Sequence, residues 1–332
     1  MKKLLFCAMV FACAFTLLVQ AGEARPLKLR LGHPMAPGNN VTLGYEKFAE
    51  LVKEKSNGEI TIQIFPNAQI GNDRVTTEAA QAGTLDMTSS STPNMASFHP
   101  HYMALDLPYV TRPENQQKLY DAIDNGPLGQ YYRELSRSIG LETLMFSEFG
   151  YRNFVSSTRP INGVDDFKGF KVRTTDSPVE VDVAKALGMN PAPIAWGETY
   201  TALQQGTVDG EGNTYSLLND AKHTEVLKYA TNTRHNYSMH LLMINKKKWD
   251  SLTDEQRRIM REAADEALKY EREISGPLEQ KAYEDFVKAG IKFHEFTDEQ
   301  IQQMYDLTQP VRDKYNNEIP AELTQMIADT QK

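Results

Sequence analysis

The sequence predicts an α/β protein built as two lobes, and three observations carry that reading. From Leu27 to Thr92 the order is alternating strand, amphipathic helix, alternating strand, helix, short buried strand. β-α-β-α-β with short connections is the pattern of a parallel sheet. The pattern then has an echo. Leu85-Asp86-Met87 follows a helix stopped by Gly83 and Thr84, and Val208-Asp209-Gly210 follows one stopped by Gly206 and Thr207. Finally, 332 residues are enough for two cores.

The elements can be justified in order. Lys2-Lys3 precedes an almost wholly apolar run, Leu4 to Val19, and small residues follow at Val19-Gln20-Ala21 and Gly22-Glu23-Ala24. That is the order of an export signal, assigned to 1–24, and the run is short for a spanning helix. Both cysteines, Cys7 and Cys13, fall inside it. The mature chain therefore offers no thiol for a disulfide, a nucleophile or a metal. Leu27–Gly32 alternates as a half-buried strand, and 42–56 reads as a helix ended by Asn57-Gly58. Glu59–Phe65 is a second strand. A turn at Gln69–Asp73 leads into a helix over 74–82, then Leu85–Met87 as a strand and Thr88–Thr92 as a polar serine-rich loop.

Helices are expected at 114–123 and 127–138, and strands at 141–146 and 153–156. In the second lobe the helices are 178–187 and 197–205. Tyr237–Asn245 is a strand returning to the first lobe. Thr253-Asp-Glu-Gln256 is a capping box that starts a long helix, interrupted at Gly276-Pro277. A second such box at 297–300 starts the last helix, with Ile301, Met304 and Leu307 inward. The lobes are assigned as 25–150 with 239–276, and 151–238 with 277–332.

Charge narrows the partners. With 36 Lys and Arg against 44 Asp and Glu, the formal charge is −8. There is no basic run to suit nucleic acid. An acidic body must gather positive charge locally to hold an anion, so single arginines matter. Arg152 lies among Phe149, Tyr151 and Phe154. Arg173 ends the run Phe170-Lys-Val172 just before the break at Thr174–Pro178. A strand ending in arginine puts a planar fork of donors where open α/β sheets bind ligands, and the fork matches a carboxylate. Asn213 ends a third apolar segment. These three predict a carboxylate-binding cleft with no chemistry in it.

Several segments in this order resemble one family. They are Gln69-Ile-Gly-Asn-Asp73, Ala82–Met87, Leu105–Tyr109, Lys168-Gly-Phe-Lys-Val-Arg173, Glu198–Gly210, and Ile244-Asn245 with Trp249. Together they resemble the DctP-like solute-binding proteins of tripartite ATP-independent periplasmic (TRAP) transporters, over roughly 27 to 320. The resemblance implies a two-lobed periplasmic-binding-protein fold, with a ligand cleft between the lobes and a long C-terminal helix crossing both. It implies a periplasmic monomer that captures a small organic carboxylate and hands it to TRAP membrane permease subunits, with no cofactor and no metal. Arg173 matches the family's main carboxylate ligand, and Arg152 and Asn213 match residues that face it. Trp196 falls at an aromatic lining position. Ser91 falls where some members place an acidic contact, and Asp73 joins this set. The loop Asp209-Gly-Glu-Gly-Asn-Thr214 departs from the family's usual D-G-Q-E-N-P.

Four further residues are weighed for the cleft. His33 either touches the ligand or serves core or surface. Tyr237 lies at a lobe boundary. Glu148 and Glu211 either pair with the arginines, the reading preferred here, or hold a substrate amine or hydroxyl. His99-Pro100-His101 is read as a loop or surface pair. An exported hydrolase is disfavoured, because there is no G-x-S-x-G, no H-E-x-x-H and no mature cysteine. A ligand sensor that docks to a receptor without transport is the alternative function. Export is directly testable. N-terminal sequencing of the protein from its own host should start near Gly22 or Arg25, and an intact Met1 on a cytoplasmic product would overturn the signal assignment.

Overall fold

A computed structural model describes residues 26–332; the expected export signal lies outside them. The chain opens with β1 (Leu27–Gly32), α1 (Asn40–Lys55), β2 (Ile60–Phe65), α2 (Asp73–Ala82) and β3 (Met87–Ser91). β1 pairs in parallel with β2 and with β3. Asn39 caps α1 by accepting the Val41 N–H, and Asn72 caps α2 by accepting that of Val75. Gly83 ends α2 in the left-handed region, φ 77°, where glycine costs least.

The serine-rich stretch expected as a loop is the strand itself. Residues 87–91 lie between β1 and a later antiparallel strand, and all five are buried. Hydroxyls can line a buried strand only if each finds a partner. Thr88 pairs with Thr76 at 3.0 Å, Ser89 with Tyr45 at 2.6 Å, and Ser90 donates to Asp73 at 3.2 Å.

Next come α3 (Thr92–Met95), α4 (Gln116–Asp124), α5 (Pro127–Ser138) and β4 (Leu141–Tyr151). The chain then crosses to a second sheet through one residue, Arg152. There lie β5 (Asn153–Ser156), β6 (Lys171–Thr174), α6 (Pro178–Ala186), β7 (Asn190–Pro193), α7 (Trp196–Gln204), β8 (Gly210–Asn213), α8 (Tyr215–Asp220) and β9 (Tyr229–Asn232). β8 is Gly-Glu-Gly-Asn, later than the expected Val208–Gly210. Gly210 is obligatory, because a Cβ there would lie 2.0 Å from the Val155 carbonyl oxygen.

Residues 233–236 return the chain to the first sheet as β10 (Tyr237–Asn245), antiparallel to both β3 and β4. The first sheet runs β2-β1-β3-β10-β4. α9 (Lys246–Ser251) and α10 (Asp254–Lys288) follow, then β11 (Lys292–Glu295), which completes the second sheet as β11-β9-β5-β8-β6-β7. α11 (Asp298–Leu307), α12 (Gln309–Tyr315) and α13 (Ala321–Asp329) close the chain.

α10 does not stop at Gly276-Pro277 as expected; it continues through Pro277 for 35 residues. Packing at both ends explains this. Met260, Ala263 and Ala267 belong to the core over the first sheet, while Ala282 and Phe286 belong to the core over the second. Tertiary burial overrides the local cost of proline. Leu307, expected inward, is 44% exposed, whereas Met304 is fully buried. α13, expected with the second lobe, packs on α5.

Where α10 crosses β4, one carboxyl is fully buried. Glu271 Oε1 accepts Asn40 Nδ2–H at 2.6 Å, and Oε2 accepts the Glu148 N–H at 3.1 Å. Burial pushes it from 4.5 up to about 8, although the Glu148 N–H works the other way. The folded value lies above the unfolded one. Its stabilising effect is therefore complete below about pH 4.5 and lost as pH rises through about 8. The ligand-free protein should melt at lower temperature at pH 8 than at pH 5, and Glu271→Gln should flatten that slope. An unchanged slope in the variant would remove Glu271 as its source.

Candidate functional site

The cleft lies between the C-terminal edges of the parallel strands of the two sheets. Arg173 comes from β6. Val172 beside it turns into the core, so alternation sends Arg173 to the other face. Arg173 Nε donates to the Ile194 carbonyl at 2.9 Å. Among the described residues it forms no ion pair, and its two terminal nitrogens have no acceptor. Yet the residue is only 4% exposed. Burial pulls its pKa below the usual arginine value, opposed by the carboxylates of Glu211 and Glu180.

Arg152 is placed by the crossing itself. Its N–H donates to Asn236 O at 3.0 Å, and its own carbonyl accepts the His235 N–H at 3.1 Å. The two strands that change sheets are thus tied to one another. Most of its side chain is engaged. Nε and Nη2 donate to Gly212 O at 3.0 and 2.6 Å, and Nη1 lies 2.9 Å from Glu180 Oε1. That last contact is off the hydrogen-bonding direction of the N–H groups, so it is an ion pair only. Glu180 Oε2 is held by Thr175 N–H and Thr175 Oγ1, at 2.8 and 2.9 Å. Glu180, not the expected Glu148, is the counter-ion of Arg152.

Asn213 ends β8, with Nδ2 3.3 Å from Glu211 Oε2. Glu211 Oε1 meets His223 Nδ1 at 2.6 Å. Against the burial that would raise it, the charge and hydrogen bond of His223 hold Glu211 below the usual carboxylate range. Glu211 also lies near Arg173, as expected, but bonds His223 and Asn213 instead. Trp196 stacks on His223, ring centres 4.8 Å apart, with the Arg173 guanidinium 5.8 Å from the indole.

The facing wall comes from the first sheet. Asp73 starts α2, and its Oδ1 accepts from Ser90 Oγ and, at 3.4 Å, from Ser91 N–H. Burial raises its carboxyl. Ser91 Oγ accepts from Asn94 at 3.0 Å. His240, opposite Ser91 in the ladder, has Nδ1 bonded to Ser89 Oγ at 2.9 Å and packs on Phe149. Burial drives His240 down to about 3, so it is neutral. Between the two walls about 20 Å³ is free, room for about one water.

Arg173, Arg152, Asn213, Trp196, Asp73 and Ser91 therefore share one cleft. Tyr237, Glu148 and His33 do not join it. Tyr237 Oη donates to Glu148 Oε2 at 2.7 Å, and Glu148 faces a separate cavity of about 710 Å³ with Gln116 and Arg272. Strand parity is the reason: Glu148 and Phe149 are neighbours on β4 and point to opposite faces. His33 is fully buried edge-on to Tyr45. The residues that sequence reading missed are His240, Asn94 and Glu180. A histidine inside the apolar run Tyr-Ser-Met-His-Leu-Leu was the available signal for the first. His99 and His101 meet edge-on at 4.4 Å. Among the described residues no three His, Cys, Asp or Glu gather as a metal site.

The two arginines should behave differently on mutation. Arg152→Ala leaves the largely buried Glu180 without its counter-ion, a loss of up to about 3–5 kcal/mol, which lowers the melting temperature by about 2–4 °C per kcal/mol. Arg173→Ala removes a buried cation that has no counter-ion, so melting should hold or rise. Thermal denaturation without ligand decides; an equal loss in both variants would refute the difference in pairing.

Comparison with known proteins adds the following. The family model described as bacterial extracellular solute-binding protein, family 7 (DctP) matches residues 31–318. The chain is 30% identical over 306 residues to the 2,3-diketo-L-gulonate-binding periplasmic protein YiaO of Escherichia coli, covering 91% of this chain and 92% of that protein. It is 31% identical over 321 residues to the C4-dicarboxylate-binding periplasmic protein DctP of Rhodobacter capsulatus, covering 95% and 94%. Among solved structures, the sugar acid binding protein DctPAm of Advenella mimigardefordensis, in complex with galactonate, superposes with a TM-score of 0.88 at 28% identity, covering 93% of this chain and 98% of that one.

Proposed function

This chain belongs to bacterial extracellular solute-binding protein family 7, and from that premise we propose that it is the extracytoplasmic solute-binding subunit of a TRAP transporter for organic acids. The observation that carries the reading is Arg173: a buried guanidinium without a counter-ion, whose terminal N–H groups open on the cleft. A planar carboxylate supplies the missing charge and two acceptors at the matching spacing. Asn213 and Trp196 then contact the remaining polar atoms and the carbon skeleton. Relatives named for a diketo-gulonate, a C4-dicarboxylate and a sugar acid support an acid as the solute.

The mechanism is capture by closure. About 20 Å³ cannot admit an acid of several carbons, so the walls must part to load it and meet again to hold it. The three crossings, at Arg152, at 233–236 and through α10, are where the lobes 25–150 with 239–276 and 151–238 with 277–332, less α13 on α5, would swing. The membrane permease partner follows from the family. The chain acts outside the cytoplasm, as a monomer, because one chain supplies both walls. Among the described residues no helix is long and apolar enough to cross a membrane. Its charge of −8 argues against nucleic acid.

Arg173→Ala should weaken acid binding by on the order of a hundredfold to a thousandfold. Losing a charged hydrogen-bonded partner costs about 3–5 kcal/mol in a buried pair, at about 1.4 kcal/mol per tenfold. Arg173→Lys should recover only part of this. Binding should change the emission of Trp196 and not of Trp249, which is 7% exposed in the first core. Calorimetry with galactonate, glucuronate and succinate, read alongside fluorescence of Trp196→Phe and Trp249→Phe, tests both. Binding within a few-fold of the parent after Arg173→Ala would place the pocket elsewhere.

A further inference from the structure

Resting on the capture of an acid by closure, we propose that each closure takes up one proton, held on Asp106 in a second small space beside Arg152. That space is about 30 Å³, room for a water or two, and shares only Arg152 and Arg173 with the ligand cleft. Four oxygens on it have no hydrogen-bond partner among the described residues: Asp106 Oδ1, Thr174 Oγ1, Glu180 Oε1 and Asn236 Oδ1. Neither carboxyl is free to turn away. Asp106 Oδ2 accepts from Ser177 Oγ at 3.0 Å, and Glu180 Oε2 is held by Thr175. Acceptors gathered in a buried space need hydrogens between them. The Thr174 hydroxyl can supply one, and a protonated Asp106 supplies another.

The charge count asks for the same proton. Glu180 pairs with Arg152. Arg173 lines this space too, but the bound acid takes its charge. Asp106 is left buried, and burial and then the Glu180 charge push its carboxyl well above the ordinary range, against the Ser177 hydrogen bond and Arg152. The other facing groups are neutral. His235, bonded to Thr233 Oγ1, is driven by burial and Arg152 to about 3. The Tyr132 hydroxyl, from α5, is pushed up by burial and then by Asp106. Closure enters through where these groups come from. By the lobe boundaries above, Asp106 belongs to the first lobe, and Thr174, Ser177 and Glu180 belong to the second. Parting the walls separates Asp106 from Ser177 and Glu180 and admits water, so its carboxyl returns toward the ordinary 3.8. The closed value lies above the open one, and between the two the open form is ionised and the closed form protonated. Affinity for the acid is therefore greatest at low pH and falls by about tenfold per pH unit as pH rises through that window.

The test is calorimetry of galactonate, glucuronate and succinate with the full exported protein, in buffers of different ionisation heat, from about pH 5 to about pH 8; the buffer dependence of the heat counts protons taken up per ligand bound. Asp106→Asn keeps the shape and the acceptor for Ser177, and puts N–H groups where the proton would sit. Somewhere in that range the wild type should take up as much as about one proton per ligand more than Asp106→Asn, and the variant should lose the matching part of the pH dependence of affinity. His235 and His240, which shed protons on burial, contribute to both proteins and cancel in the difference. Equal proton counts in the two proteins at every pH overturn the proposal, as does a wild type that releases more protons than the variant. Should Asp106→Asn fail to fold by its melting curve, Ser177→Ala decides. It removes a bond that favours ionised Asp106, so uptake should extend to higher pH, and a profile identical to that of the wild type overturns the proposal. Acid binding without a proton difference defeats the coupling alone, whereas binding of no acid defeats the acid-binding reading and the coupling with it.

Discussion

The site depends on two buried guanidiniums, of which only one is neutralised. A cation taken out of water costs free energy unless a counter-charge and hydrogen bonds replace its hydration. Arg152 has both, in Glu180 and the Gly212 carbonyl. Because it is satisfied, it can serve as the joint between sheets. Its backbone bonds the returning segment at 235–236, and its side chain ties the end of β8 to the start of α6. Arg173, one strand over, has its Nε fixed on Ile194 O and its fork unsatisfied. The scaffold pairs one charge within itself and leaves the other without a counter-ion at the cleft.

That division explains why the second sheet's loops take the forms they do. β8 is short and ends in Asn213, so the Gly212 carbonyl turns toward Arg152 and the Asn213 side chain remains beside Glu211. His223 then occupies Glu211, and Trp196 lies on His223. If Glu211 lacked His223, it would be the natural partner of Arg173, whose charge would then be met by the protein's own side chain. The departure at Asp209–Thr214 from the family's usual wording is thus accommodated locally. Glu211 stays in the second shell of contacts, below the cleft.

Much of this was legible in the sequence, and the failures have physical causes. Strand and helix order could be read because alternation and Gly stops are local signals. Arg173, Arg152, Asn213 and Trp196 could be singled out because charged or aromatic residues at strand and helix ends stand out against apolar runs, and the fold gathers them around one cleft. The serine stretch at 88–91 was misread because hydroxyl partners such as Tyr45, Thr76 and Asp73 come from distant sequence. α10 was cut at Pro277 because the proline is local and the two cores that hold the helix are not. Glu148 and Tyr237 were drawn toward the cleft by proximity to Arg152. Parity along β4 sends Glu148 away, and Tyr237 follows it as its hydrogen-bond donor.

The same geometry bears on whether the cleft acts on what it holds. A serine and a histidine do meet beside it: Ser89 Oγ and His240 Nδ1 are 2.9 Å apart. A nucleophile needs its oxygen exposed to the substrate and its base free to take the proton. Here the order is reversed. Ser89 is fully buried behind the wall and is also bonded to Tyr45 Oη at 2.6 Å. His240 is the member that lines the cleft, and burial keeps it neutral, with a pKa near 3. A proton placed on that ring would sit near the positive charge of Arg152, which further disfavours it. The Tyr45–Ser89–His240 chain therefore works as a brace that fixes the imidazole as a neutral hydrogen-bonding surface, consistent with a site that holds its ligand and releases it unchanged.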